Sequence, residues 1–238
     1  MVLETNEQQA TLTFMQGVRD CIPTLLGYIG IGIAAGIVGT SAKLSVLEIG
    51  LLSALVYAGA SQFIICAMLI AMSPPSAIIA TTFIVNLRHF LMSAALAPYF
   101  SNYSLLRNIG IGALLTDESF GVASLRTSRG LPINDRWMNG LNVTAYVTWI
   151  VSCMAGGWLG SWIVDPAVFG LDFALTAMFI ALLVLQLVAL PASKLKHYIF
   201  LIACTILSVY VLSFFFSIYM SVLLATIICA AIGAVTEK

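Results

Sequence analysis

Apolar positions in this chain come in long unbroken runs rather than in alternation: 22–39, 46–72, 76–98, 104–125, 137–164 and 171–190. Each is close to, or longer than, the ~20 residues that carry a helix across a bilayer. The closing run, 198–235, is nearly twice that length and divides near Ser213 to Ser217 into spans of 198–213 and 217–235. The runs are separated by Ser73-Pro74-Pro75-Ser76, Arg129-Gly130-Leu131-Pro132, Asp165-Pro166 and Pro191-Ala192-Ser193, dipeptides and clusters that end or delay helices. The pattern predicts an all-α integral membrane protein, a polytopic bundle of eight transmembrane helices, or seven if one run is re-entrant. We expect one transmembrane domain over 1–238, led by a segment, 1–20, that lacks the basic start and short apolar core of a cleaved signal peptide.

Composition agrees: 61% of residues are apolar and 8% charged, against ~25% charged in ordinary soluble domains. Ten basic residues cancel ten acidic ones, so net charge points to neither nucleic acid nor an acidic partner, and the position of the charges is what informs. Cytoplasmic loops are enriched in Lys and Arg. With eight alternating spans and a cytoplasmic amino terminus, Arg19, Arg126, Arg129, Arg136, Lys194, Lys196 and Lys238 fall inside, and Lys43 and Arg107 outside. That choice of orientation is the expected one.

Polar residues inside the apolar runs are the candidate chemistry. Arg88 and His89, in Asn86-Leu87-Arg88-His89, lie in the middle of the run 76–98. At ~1.5 Å per residue, Arg88 is roughly 18 Å from the start of that helix, near the midplane of a ~30 Å slab. A guanidinium costs roughly 3 kcal/mol there unless paired or wetted. The acidic pair Asp117-Glu118 in the next run is within its reach, consecutive hairpin helices usually being neighbours. Gln62, in Tyr57-Ala58-Gly59-Ala60-Ser61-Gln62-Phe63, and Asn142 with Thr144 complete the set. Next to Gln62, Gly59 permits local unwinding that bares backbone carbonyls. Each polar group has a plainer reading beside the functional one: a structural ion pair for Arg88, an imidazole bonded to a carbonyl for His89, a bond between two helices for Gln62. Glycines four apart, Gly32 with Gly36 and Gly156 with Gly160, read first as close-packing surfaces.

The chain carries no phosphate-cradling loop, His-Glu-x-x-His or Gly-x-Ser-x-Gly motif, so no catalytic residues are assigned and an enzyme is not expected. Cysteines 21, 66, 153, 204 and 229 form no Cys-x-x-Cys pair and read as small packing residues, with no metal or cofactor implied. His197, in a loop, lies far in depth from His89.

At several of these points the chain resembles the AzlC/YgaZ-type branched-chain amino-acid exporters, the large subunit of two-component exporters. The resemblance rests on Tyr57 to Phe63, on Asn86 to His89, on Asp117-Glu118 and on Gly170-Leu171-Asp172-Phe173-Ala174 leading into Phe179-Ile180-Ala181-Leu182-Leu183. It implies a secondary transporter of the bacterial plasma membrane that exports branched-chain amino acids, with other hydrophobic amino acids as further candidates. It also implies a partner, a small hydrophobic AzlD-type subunit of about 100 residues with roughly four spans.

On that basis Gln62, Asn86, Arg88 and His89 are expected to line the transport path, with Asp117 or Glu118 as counter-ion and candidate proton carrier. Charge complementarity assigns the substrate carboxylate to Arg88 and its ammonium to a carboxylate or to freed carbonyls near Gly59. The rival readings are a membrane scaffold that transports nothing and an exporter or channel for another small solute.

Overall fold

The computed structural model describes residues 12–162, 192–216 and 218–236, with isolated positions between 173 and 188. The span expected over 171–190 and the Gly170 to Ala174 segment lie outside the described residues apart from those positions. The chain divides into two compact units, 1–175 and 176–238.

The first unit is built on two long helices, α1 (Phe14–Ser41) and α7 (Asp135–Gly160). A Thr13 capping box starts α1, and the Asn134 side chain, accepting from the Trp137 amide, starts α7. They lie side by side and parallel. Gly17 packs on Trp137, Gly32 on Ser152, Gly36 on Cys153 and Gly160 on Ile37, so equivalent depths are about 120 residues apart throughout. The small residues let the backbones touch, as the glycine spacing predicts. Two polar bonds close the ends of the pair: Asn134 Nδ2 donates to the Leu12 carbonyl at 2.9 Å, and Thr40 Oγ1 to the Gly157 carbonyl at 3.0 Å.

Between them the runs 46–72 and 104–125 depart from the single crossings expected. The first folds as α2 (Val46–Leu55) and α3 (Gly59–Ile70), and the second as α5 (Leu105–Ala113) and α6 (Asp117–Ser128). Nine to twelve residues make ~14–18 Å of helix, about half a bilayer. Contacts with α7 give their direction. Along α2 the level falls, since Val46 and Ile49 lie on Gly157, Gly50 on Met154, and the Ala54 carbonyl accepts from Tyr146 Oη at 2.9 Å. Along α3 it rises again, from Gly59 on Trp149 to Gln62 beside Cys153. Gln62 Nε2 donates to the Leu52 carbonyl at 3.4 Å, which links the two arms. The run 46–70 is thus a re-entrant hairpin that enters and leaves at the Lys43 end.

The second hairpin enters from the opposite end. Arg107 meets Asp135 at 2.8 Å and the Ile111 carbonyl accepts from Asn142 Nδ2 at 3.1 Å, so α5 climbs. Descending, α6 runs from Thr116 and Glu118, both on Tyr28 Oη, to Arg126 on Asp20. Helix α4 (Pro75–Leu96), prolonged by a 3-10 turn at Ala97–Phe100, connects the hairpins. A helix followed by a hairpin therefore occurs twice, in opposite directions.

This arrangement changes the charge tally. Arg107, expected opposite to the other arginines, lies at the same end as Arg19, Arg126, Arg129 and Arg136, whereas Lys43 lies at the other. A single cysteine at Ser73, between α3 and α4, is expected to react with an impermeant maleimide from the same side as one at Lys43. A cysteine at Ser101 should react from the Arg129 side. A continuous crossing by 46–72 and by 104–125 would reverse both results.

In the second unit, α8 (Ala192–Leu212) and α9 (Ile218–Thr236) form an antiparallel pair around the Ser213 to Phe216 turn. Leu201 lies on Gly233, Ser208 beside Cys229, and His197, within α8, beside Thr236. Among the described residues, four helices are long and apolar enough to cross a bilayer: Phe14–Ser41, Pro75–Phe100, Asp135–Gly160 and Lys194–Leu212.

Candidate functional site

The hairpin tips, Val56 to Ala58 and Leu114 to Thr116, end at similar depth, where both half-helices α3 and α6 begin. Breaking a helix inside a bilayer frees backbone groups that water cannot satisfy there, so protein must. Polar residues singled out in the sequence, together with Tyr146, meet part of that demand. His89 Nδ1 donates to the Leu115 carbonyl at 3.0 Å, which fixes the proton on Nδ1. Asn142 and Tyr146 of α7 donate to the Ile111 and Ala54 carbonyls, and Gln62 of α3 adds a second bond to the Leu52 carbonyl, which already accepts from the Val56 amide. Asn86 Oδ1 accepts from Ser61 Oγ at 2.7 Å, tying α4 to the first turn of α3. Thr144 Oγ1 turns back onto the Gly140 carbonyl of its own helix.

Arg88 meets Asp117, Nη1 to Oδ2 at 2.7 Å, with side-chain exposures of 25% and 22%. Asp117 is the first residue of α6, where a carboxylate also opposes the positive end of the helix dipole. Glu118 points elsewhere: its Oε2 accepts from Tyr28 Oη at 3.1 Å, and the same hydroxyl bonds Thr116 Oγ1. The two acids therefore divide, Asp117 to α4 and Glu118 to α1. Gln62, Asn86, Arg88, His89, Asp117 and Glu118 all lie around the two tips.

Sequence reasoning passes over the aromatic residues here. Tyr28 stands edge-on to Trp149 at 5.9 Å, Tyr57 edge-on to Tyr146 at 4.8 Å, and the Trp149 benzo ring covers Gly59. Tyr28, Tyr57 and Trp149 are 3%, 7% and 4% exposed. In an apolar run such residues look like filler, and only their partners show that they pack together at the two tips. Tyr57 also takes φ of +26°, a strained value for a non-glycine residue, at the first tip. Beside the second tip an apolar cavity of ≈ 350 Å³ is walled by Phe90, Leu96, Phe100, Ile111 and Leu115. Among the described residues no cluster of His, Cys, Asp and Glu is arranged to hold a metal.

A membrane protein with two half-helices starting at mid-depth, walled by aromatic side chains and an ion pair, has the construction of a solute transporter. Known proteins place the chain more closely. The pattern of the AzlC protein family matches residues 23–163, more than half of the sequence, and the chain belongs to that family. It is 32% identical to the inner membrane protein YgaZ of Escherichia coli over 72% of each chain. It is 27% identical to the branched-chain amino acid transport protein AzlC of Bacillus subtilis, over 80% of this chain and 72% of the relative. An uncharacterized membrane protein of Archaeoglobus fulgidus is 33% identical over 77% and 78%. No solved structure matches. The matched region takes in α1 to α7 apart from the first turns of α1, and so holds both hairpins and every site residue named above.

Proposed function

We propose that this protein is the large subunit of a secondary transporter that exports branched-chain amino acids across the bacterial plasma membrane. The observation that carries the reading is the meeting of two half-helices from opposite faces at an aromatic and charged centre. Such a centre offers an amino acid both charge partners and apolar walls. The transport relative in Bacillus subtilis supports an aliphatic substrate. Five arginines at the amino-terminal end of α1 and α7 support a cytoplasmic location for that end.

The partner in this proposal is a small hydrophobic subunit of the AzlD type. Helix α4 supports it. Ile79, Phe83 and Phe90 are between 67% and 71% exposed along one side, and Leu91, one turn from Arg88, is 65% exposed beside the Arg88–Asp117 pair, which keeps about a quarter of its surface. A charge pair at mid-depth needs cover from lipid, and a second subunit would supply it. In this reading Gln62, Asn86, His89 and Arg88 hold and line the tips, Asp117 is the counter-ion of Arg88, and Glu118 is the acid available to substrate or proton.

Liposomes containing this chain with the small subunit and loaded with unlabelled leucine are expected to accumulate labelled leucine by counterflow. Isoleucine and valine should compete, and glutamate and lysine should not. A complex that inserts normally but shows no counterflow would reduce the polar centre to a scaffold. Competition by unrelated solutes alone would make it a transporter of something else.

A further inference from the structure

The two hairpins follow one plan but are held in two ways. In each, the arm that leaves the tip ends in a left-handed residue, and the amide after it turns back to the last helical turn. At the end of α3, Met72 takes φ of +52° and the Ser73 amide donates to the Met68 carbonyl at 2.9 Å. At the end of α6, Gly130 takes φ of +71° and the Leu131 amide donates to the Arg126 carbonyl at 3.2 Å. Such ends usually take glycine, because a Cβ makes the left-handed conformation costly. The second hairpin has the glycine and the first does not. At the end of α1, where the first hairpin begins, Lys43 takes φ of +64° and the Leu44 amide returns to the Gly39 carbonyl at 3.1 Å. With Tyr57 at the tip, the non-glycine residues of positive φ among the described residues therefore stand at the three joints of the first hairpin. Lys43 and Met72 are exposed, Met72 by 89%, so packing does not impose the conformation on them.

Charge is distributed the other way. Arg107 pairs with Asp135 at the base of α5, Arg126 with Asp20 at the base of α6, and Asp117 with Arg88 at the tip. The Arg126 pair is reinforced. Asp20 Oδ2 also accepts from Trp137 Nε1 at 2.8 Å, Arg126 Nε donates to the Pro132 carbonyl at 2.8 Å, and the guanidinium lies 5.2 Å from the centroid of the Trp137 ring. The second hairpin is thus fastened at both bases and at its tip, to α1, α4 and α7. Among the described residues no ion pair reaches the first hairpin. Apolar contacts hold it, Ile49 against Gly39 and Gly157 and Met154 against Gly50, with neutral hydrogen bonds from Tyr146 to Ala54 and from Ser61 to Asn86. Strained residues at the ends of an otherwise rigid element have the character of hinges, which absorb a backbone change when the element moves.

We infer that the first hairpin is a gate that swings on Lys43 and Met72 and opens the tips toward the Lys43 end in the solute-free protein, while the ion pairs of the second hairpin latch the Arg129 end shut. Opening at the Arg129 end requires those pairs to part. Apolar contacts slide and re-form at little cost, whereas a charge pair that separates inside a membrane protein leaves both members unmatched. The assignment rests on the transporter reading and adds which end is free to open and which residues control each end.

The test is the rate at which an impermeant maleimide reaches single cysteines at the two tips, in the two-subunit complex freed of its five native cysteines and held in liposomes. Ala58→Cys and Leu115→Cys stand at positions 4% and 2% exposed. Without leucine, Ala58→Cys is expected to react from the Lys43 side and Leu115→Cys to be protected from the Arg129 side. Met72→Gly relieves the left-handed joint of the shut gate, so it should slow labelling of Ala58→Cys roughly tenfold, and Lys43→Gly should act likewise. Asp20→Asn or Arg126→Gln should speed labelling of Leu115→Cys from the Arg129 side roughly tenfold and leave Ala58→Cys as it was. Equal labelling of the two tips, an unchanged Ala58→Cys rate in both glycine variants, or a Leu115→Cys that stays protected in both latch variants would overturn the gate assignment. This labelling pattern in a complex without leucine counterflow would end the exporter reading and uphold the gates.

Discussion

Arg88→Met is expected to abolish transport and lower the yield of folded protein, and Asp117→Asn to do nearly the same. Removing both charges together should restore the yield. The asymmetry follows from the 2.7 Å pair. Deleting one member of a buried ion pair leaves the other uncompensated at a cost of roughly 3–5 kcal/mol, whereas deleting both is often close to neutral. The same double variant separates the two meanings of the pair. If Arg88 and Asp117 only lock α4 to the tip of the second hairpin, Arg88→Met with Asp117→Asn regains counterflow along with stability. If the pair must open and close as the hairpin moves, folded protein returns and counterflow does not. Detergent stability and leucine counterflow, measured on the same preparations, read the two parts separately. We expect the second outcome, because the pair joins a full-length helix to a tip that has only three unwound residues behind it.

The ion pair is legible in the sequence because two intramembrane charges of opposite sign have few ways to be satisfied. Hydrophobicity places the long helices α1, α4 and α7 for the same general reason, that an apolar run of this length has no other place to go. The hairpins are hidden by that argument. The runs 46–72 and 104–125 satisfy the length rule for a crossing whether or not they turn back, and neither tip carries a proline. The turns at Val56 to Ala58 and Leu114 to Thr116 are made tolerable from a distance, by Tyr146, Gln62, His89 and Asn142 donating to the carbonyls around them. No local pattern reports such bonds. Gly59 does mark a place where the helix is interrupted, since α2 ends at Leu55 and α3 begins at Gly59 itself. The polar residues keep both of their readings: His89 does bond a carbonyl, and the carbonyl it bonds belongs to the tip of the site.

Substitution along the α1–α7 seam should separate glycines that are needed from glycines that are incidental. Gly36→Leu and Gly156→Leu are expected to prevent stable folding, because a Cβ at Gly36 would overlap the Cys153 carbonyl oxygen and one at Gly156 the Ile33 carbonyl oxygen. Neither neighbour is a flexible side chain, so the helices must separate, and overpacking of this kind costs roughly 1–3 kcal/mol or more. The displacement also spreads. Trp149, Tyr146 and Asn142 on α7 support both tips, and Tyr28 on α1 holds Glu118, so parting the seam moves the walls of the site against one another. Gly27 and Gly30 lie on the same helix, but a Cβ at either would meet nothing within 4 Å. Replacement of either by alanine is expected to leave yield and counterflow at wild-type values, and the removal of a helix-interior glycine stabilises by up to about 1 kcal/mol. Thermal unfolding of the four variants in one detergent compares them directly. Equal loss at all four positions would mean that this face of α1 is buried against something else in the assembled transporter, and Gly27 and Gly30 would then mark where that contact lies.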